Sequence, residues 1–449
     1  MPHRPPRFLI RSLLFSLSVA AGGLAHAADA GPGGVDDAMA AAGVAEQLQA
    51  LAGQTIAWRR DIHQHPELGE QETRTAALVA DHLRGLGLEP RTGIAGTGVS
   101  AILRGARPGP RIALRADMDA LPVLERTGLT FASSATGTWR GETVPVMHAC
   151  GHDAHVAILM TVAQLLAEMR EQLAGEVMFV FQPAEEGPPE PGAIAGAARM
   201  LDEGLFADFV PEAVYGLHVT SALPVGQVGY RSGAMMAAAD EWILTVSGRQ
   251  THGSRPWEGI DPITVAAQIL LASQGIIARQ VDTTVAPVVL TAGQIRGGIR
   301  FNIIPDEVTL AGTLRTFDED VRANVIERLR LTADHIARAS GASAHLAVAS
   351  NAPLTRNDPV LAERAGAVLT RTLGADQVLT MPLLTIAEDF SQYTSVAPGF
   401  FHFVGVTPVD QDPRTAPANH SPEFFIDEAA LAIGTRTLLA LALDQLLAR

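Results

Sequence analysis

The sequence predicts an α/β protein: a mixed-sheet main domain with helices on both faces, interrupted by a small α+β domain. Three observations carry this. Helix and strand patterns alternate over 44–235 and again over 350–449. The stretch between them, 236–349, reads strand, helix, strand, strand, helix, strand, the order of a ferredoxin-like unit. The chain is 449 residues long and 47% hydrophobic, more than one core usually serves.

In chain order, 1–27 predicts a secretory signal peptide. Arg4, Arg7 and Arg11 form a positive start, 13–20 a short apolar stretch, and Ala25-His26-Ala27 a small-residue cleavage site. The mature chain is then expected to be exported, and periplasmic or secreted. The arginines are not consecutive, which favours the general export route over the twin-arginine one. The apolar stretch is too short to span a bilayer comfortably, and no later segment reads as transmembrane. A Gly/Ala-rich lead fills 28–43.

Residues 44–62 and 72–86 have helical spacing, and 99–103 and 111–115 read as strands. Leu159, Val162, Leu165, Leu166 and Met169 recur at helical intervals, predicting a helix over 154–170. Residues 176–181 and 213–217 are apolar strands. In the insert, 241–247, 288–294, 308–316 and 344–349 are strands, while 261–279 and 319–340 are helices. The last part adds a helix at 358–373, a strand at 400–406 and a helix at 427–447.

Composition narrows the function. Removing 1–27 removes three arginines and no acids, so the net charge goes from −15 to −15 − 3 = −18. So acidic a chain is not expected to bind nucleic acid or an anionic membrane. All 33 basic residues are arginine. The absence of lysine excludes Schiff-base and pyridoxal-phosphate chemistry and the P-loop lysine.

Cys150 is the only cysteine. A lone thiol in an exported chain makes no internal disulfide, so it is either buried and inert or held as a thiolate on a metal. Its neighbours Gly151 and His152 favour metal. Candidate partners fall where ligands of open α/β sheets gather, at the carboxyl ends of strands. Asp117 follows the 111–115 strand, Glu185 and Glu186 the 176–181 strand, His218 the 213–217 strand, and His420 the 400–406 strand. Each alone is an ordinary loop residue; their convergence on one sheet edge is not.

Several motifs together resemble the aminoacylase, hippurate hydrolase and auxin-amide-conjugate hydrolase group of dinuclear metallopeptidases. They are Arg60-Asp-Ile-His63-Gln-His-Pro-Glu67-Leu68, Ala113-Leu-Arg-Ala-Asp117-Met-Asp119, Met147 to His155, Gln182 to Gly187, Gly216-Leu-His218, Thr251-His252-Gly-Ser, Phe301-Asn302-Ile-Ile-Pro305, Glu388-Asp389-Phe390 and Asn419-His420. The likeness runs from about residue 45 to the C-terminus, with Ala154 standing where glycine is expected. It implies a zinc-peptidase-like catalytic domain and an inserted dimerisation or lid domain.

It also implies roles. Cys150 would bridge two divalent ions, with His152 and His218 completing one set and Glu186 and His420 the other. Zn²⁺ is the expected ion, with Mn²⁺ or Co²⁺ as alternatives. Glu185 would be the general base, and Asp117 would orient a ligand imidazole. The insert would form a homodimer, and His252 would stabilise the oxyanion in the partner's site. Asn302 and Arg315 would hold the substrate carboxylate, with a surface ion pair as the alternative for Arg315. His63, His65, His148 and His155 are expected to be structural or to support the ligands. The expected substrates are N-acyl or N-aroyl amino acids or short peptides.

Other classes fit the sequence less well. A cysteine hydrolase would leave the double glutamate unexplained. A non-catalytic binding module would usually have lost Glu185 or a ligand. A metallocarboxypeptidase, aminopeptidase or dipeptidase on the same scaffold is the nearest alternative.

Overall fold

The structure, a computed structural model, describes residues 43–190 and 192–447. The expected signal peptide and the lead up to residue 42 lie outside the described residues.

The main sheet draws on both halves of the chain. Its eight strands lie in the order Arg91–Ile94, Gly98–Arg104, Ala174–Gln182, Arg107–Asp117, Ala213–Pro224, Gly399–Thr407, Val228–Tyr230 and Val378–Thr380. The four from Ala174–Gln182 to Gly399–Thr407 are mutually parallel, and antiparallel neighbours flank them. This is the mixed sheet that the alternating pattern predicts.

Successive side chains of a strand point to opposite faces. Ile112 and Leu114 enter the larger core, which holds the helices Val44–Gln64, His152–Glu168 and Ala429–Leu446. Ala113 between them faces a second core with Met200, Phe390 and Tyr393, on the short helices Gly196–Asp202 and Ser391–Thr394 and the residue before the latter. Helices therefore cover both faces.

The helix expected at 154–170 begins at His152 and ends at Glu168. Nearly every residue of it is buried. A helix that is apolar all round belongs inside a core. Ala429–Leu446 and Pro262–Gln280 are long and apolar enough to cross a membrane by composition; the first packs into the main core, and the second lays one face on the core of the second domain.

The second sheet is wholly antiparallel, in the order Val288–Gly297, Glu307–Thr316, Ala238–Ser247 and Ser343–Ala352. Its helices, Pro262–Gln280 and Glu319–Ala339, pack against Trp242, Leu244, Leu310 and Leu314. Asp261 and Asp318 cap them, accepting the backbone N–H of Ile263 and Val321.

Candidate active site

Local backbone shape brings the candidate side chains together. Gly151 opens helix His152–Glu168 at φ 105, and a Cβ there would lie 2.3 Å from Val219 Cγ2. Only glycine lets the Cys150-Gly151-His152 turn close onto the strand carrying His218. His218 lies inside strand Ala213–Pro224, not beyond it, and Asp117 ends its own strand. Asn419 ties the His420 loop down: its Nδ2 donates to the carbonyls of Cys150 and Val219, at 2.9 and 3.1 Å.

Cys150 Sγ lies 3.2 Å from both His218 Nε2 and His420 Nε2. His420 Nε2 is 3.0 Å from Glu186 Oε1. His152 Nε2 is 3.6 Å from Asp117 Oδ2 and 3.9 Å from Glu185 Oε2. Donor atoms of Cys150, His152 and His218 all lie within 4.8 Å of one another, as do those of Cys150, Glu186 and His420. Two triads thus share the thiol. The five residues singled out as ligands, with Glu185, form one cluster.

These residues fit cations. His152 Nε2 is buried without a hydrogen-bond partner, although it faces carboxylates. Burial opposes an imidazolium there, but Asp117 and then Asp119 outweigh it and push His152 up to about 10. Burial, then Glu186 and Glu185, drive the Cys150 thiol well above its usual range. Both shifts reflect a site short of positive charge, which divalent ions would supply while making the thiol a thiolate. Thiolate, imidazole and carboxylate together suit zinc-like ions.

The far ring nitrogens of His218 and His152 are fixed. His218 Nδ1 donates to the carbonyl of Val219 at 2.7 Å. His152 Nδ1 is 3.1 Å from Asp119 Oδ1, and Asp119 Oδ2 accepts the Glu186 N–H at 3.0 Å. Here the structure differs from the sequence reading. Asp117 bonds His155 Nδ1, at 2.5 Å, while His155 Nε2 accepts the Val219 N–H at 2.9 Å. Support of the candidate ligand His152 by a hydrogen bond falls to Asp119, which the motif contained but to which no role had been given.

Arg115 was also missed. Its buried guanidinium donates to Asp117, Glu388, Asp389 and Gln182 at 2.7–2.9 Å. Burial, then the charges of Glu388 and Glu186, raise the Glu185 carboxyl well above its usual range. Glu185 Oε1 faces the Asp389 N–H at 3.4 Å, which leaves Oε2 towards His152.

His252, Asn302 and Arg315 lie elsewhere, in the second domain. Thr251–His252 pairs with Ile303–Ile304, and the Gly253 N–H donates to the Asn302 carbonyl at 2.8 Å, so His252 and Asn302 are neighbours. His252 is exposed and its ring bonds Ser254, with Nδ1 accepting from the backbone N–H and Oγ. Asn302 Oδ1 is buried without a partner. Arg315 is half-buried on Glu307–Thr316, opposite Ala239 and Val289. Among the described residues, no hydrogen bond joins these three to the Cys150 cluster.

Residues 113–444 match the family model of peptidase family M20/M25/M40. The chain is 39% identical to thermostable carboxypeptidase 1 of Saccharolobus solfataricus, over 84% of this chain and 91% of that protein. It is also 39% identical to N-acetyl-L-cysteine deacetylase of Bacillus subtilis, over 86% of each. A crystal structure of a dinuclear metal binding peptidase of the M20 family from Bacillus subtilis aligns with a TM-score of 0.74 and 34% identity, covering 88% of this chain and 98% of that one. The chain therefore belongs to peptidase family M20/M25/M40 and is a metal-dependent hydrolase.

Proposed function

We propose that this protein hydrolyses the amide bond of N-acyl or N-aroyl amino acids, using two divalent ions and Glu185. The supporting observation is the pair of donor triads sharing Cys150, with Glu185 beside them. Cys150, His152 and His218 would hold one ion, and Cys150, Glu186 and His420 the other, Zn²⁺ first and Mn²⁺ or Co²⁺ as alternatives. Bound there, the ions would polarise the scissile carbonyl and lower the pKa of the attacking water.

The remaining steps fall to the chain's own side chains. Glu185 Oε2 takes the proton of the water and passes it to the leaving nitrogen. His252, exposed and with its ring bonded to Ser254 rather than to its own cluster, serves the site of a second copy by donating to the oxyanion. Asn302 and Arg315 hold the substrate carboxylate, for which a guanidinium offers a two-pronged contact. In this reading 1–27 is a signal peptide and the enzyme works in the periplasm or outside the cell.

Two relatives of equal identity are named for different activities, one for removing an acetyl group from N-acetyl-L-cysteine and one as a carboxypeptidase. The second name keeps a metallocarboxypeptidase or dipeptidase as the alternative reading. Release of free amino acid from N-benzoyl and N-acetyl amino acids, compared with unblocked dipeptides, separates the two. Faster cleavage of the blocked amino acids is the expected result. Cleavage of dipeptides with blocked amino acids untouched would overturn the proposal.

A further inference from the structure

The residues just past the Arg60–Leu68 motif, from Gly69 to Glu72, contribute nothing to the two triads, yet they press against the turn that carries Glu185. We infer that Glu72 is a positioning residue for Glu185, acting through the backbone of Ala184. This rests on the proposed role of Glu185 as base.

Glu72 is fully buried at the start of helix Thr73–Gly85. Its Oε1 accepts the Ala184 N–H at 2.8 Å, and Thr97 Oγ1 holds its Oε2 at 2.6 Å. Ala184 immediately precedes Glu185 and sits at φ 48, a left-handed conformation that an L-residue with a Cβ adopts at a cost. Such a conformation persists only where the surroundings impose it.

The surroundings do so at several points. A Cβ on Gly69 would lie 3.2 Å from Ala184 Cα and 3.0 Å from the Gly187 carbonyl, so the two loops pack backbone to backbone. The Gln182 carbonyl accepts the Met118 N–H at 2.9 Å, and the Glu186 N–H is held by Asp119. Of the backbone donors between the strand and Glu185, Pro183 has none, which leaves the Ala184 N–H as the point nearest the base. Released from Glu72, Ala184 would relax towards negative φ and swing the Glu185 side chain with it. Burial, with Asp119 adding to it, pushes Glu72 up to about 8, so glutamine is a close mimic near neutrality. It keeps an acceptor for Ala184 and a partner for Thr97.

The test compares metal-loaded wild type with Glu72→Met, Glu72→Gln, Glu72→Met combined with Ala184→Gly, and Glu185→Gln. Metal content, kcat and KM are measured on whichever blocked amino acid the wild type cleaves. Glu72→Met is expected to keep its metal and KM while kcat falls about 100-fold, the scale of a small misplacement of a reacting group. Glu72→Gln should stay within about threefold of wild type, since it preserves both hydrogen bonds. Glycine at 184 adopts left-handed φ freely, so the double variant should recover roughly tenfold in kcat. Unchanged kcat in Glu72→Met, a loss shared with metal content and KM, or no recovery with Ala184→Gly would each overturn the inference. Should Glu72→Met not fold, Thr97→Val replaces it: a several-fold fall in kcat at constant KM supports the inference, and unchanged kcat overturns it. An active Glu185→Gln would instead remove the proposed base. An inactive Glu185→Gln beside a fully active Glu72→Met would sink only the role of Glu72.

Discussion

Asp119 Oδ1 lies 3.1 Å from His152 Nδ1, while its other oxygen accepts the backbone N–H of Glu186 at 3.0 Å. One carboxylate thus sets the ring angle of a residue in the first triad and the backbone position of a residue in the second. It joins the two halves of the cluster.

Asp119→Asn should therefore weaken both halves. An amide offers one oxygen where two are used, and its NH₂ would meet the Glu186 N–H or the His152 ring. Metal affinity should fall about 10–100-fold, as when such supporting partners are removed elsewhere. Competition with a chelator measures it. Affinity equal to wild type would show that Asp119 is dispensable to ligand placement.

Glu185→Gln separates metal binding from turnover. Glu185 is crowded by Glu388 and Glu186 in a buried site, which raises its basicity. Removing that base should lower kcat by about 10²–10⁴-fold, with metal content unchanged. Turnover near that of wild type would take Glu185 out of the mechanism.

His63 should stabilise the fold in a pH-dependent way. It lies 2.9 Å from Asp153 and 3.2 Å from Glu125. Burial opposes its charge, yet Asp153 and Glu125 outweigh it and raise its pKa. A raised pKa gives stability that is full below the unfolded value of about 6.5 and is lost as pH rises through the folded value. His63→Leu should cost about 3 kcal/mol near pH 5.5, the scale for removing one member of a buried pair, and clearly less near pH 9. Urea midpoints at the two pH values give the comparison. An equal penalty at both would mean that His63 is neutral in the fold.

The sequence exposes Cys150, Glu185 and Glu186 because their chemistry is concentrated in two short windows. His218 and His420 emerge from the expectation that ligands follow parallel strands, although His218 proves to lie inside its strand. Asp117 and Asp119 could not be told apart in that way. They stand two residues apart, and which of them meets His152 depends on where the strand stops, at Asp117 itself. Arg115 joins Glu388 and Asp389 across more than half the chain, a pairing that no local pattern records. In the fold, long periodic elements were legible. The hairpin of Thr136–Trp139 with Glu142–Pro145 and the edge strand Val378–Thr380 were not, since three or four residues carry no periodicity. Helix His152–Glu168 follows from its periodicity, but its all-round burial does not, because polar His152, Asp153 and His155 are buried with the apolar residues.

The most direct test of the two-metal account is elemental analysis of the purified protein, paired with hydrolysis of an N-aroyl amino acid before and after chelation. The account predicts about two divalent ions per chain, activity lost to the chelator, and activity restored by Zn²⁺, Mn²⁺ or Co²⁺. Cys150→Ser should lower the metal content in the same measurement. Hydrolysis indifferent to chelation, or full metal occupancy without Cys150, would contradict it.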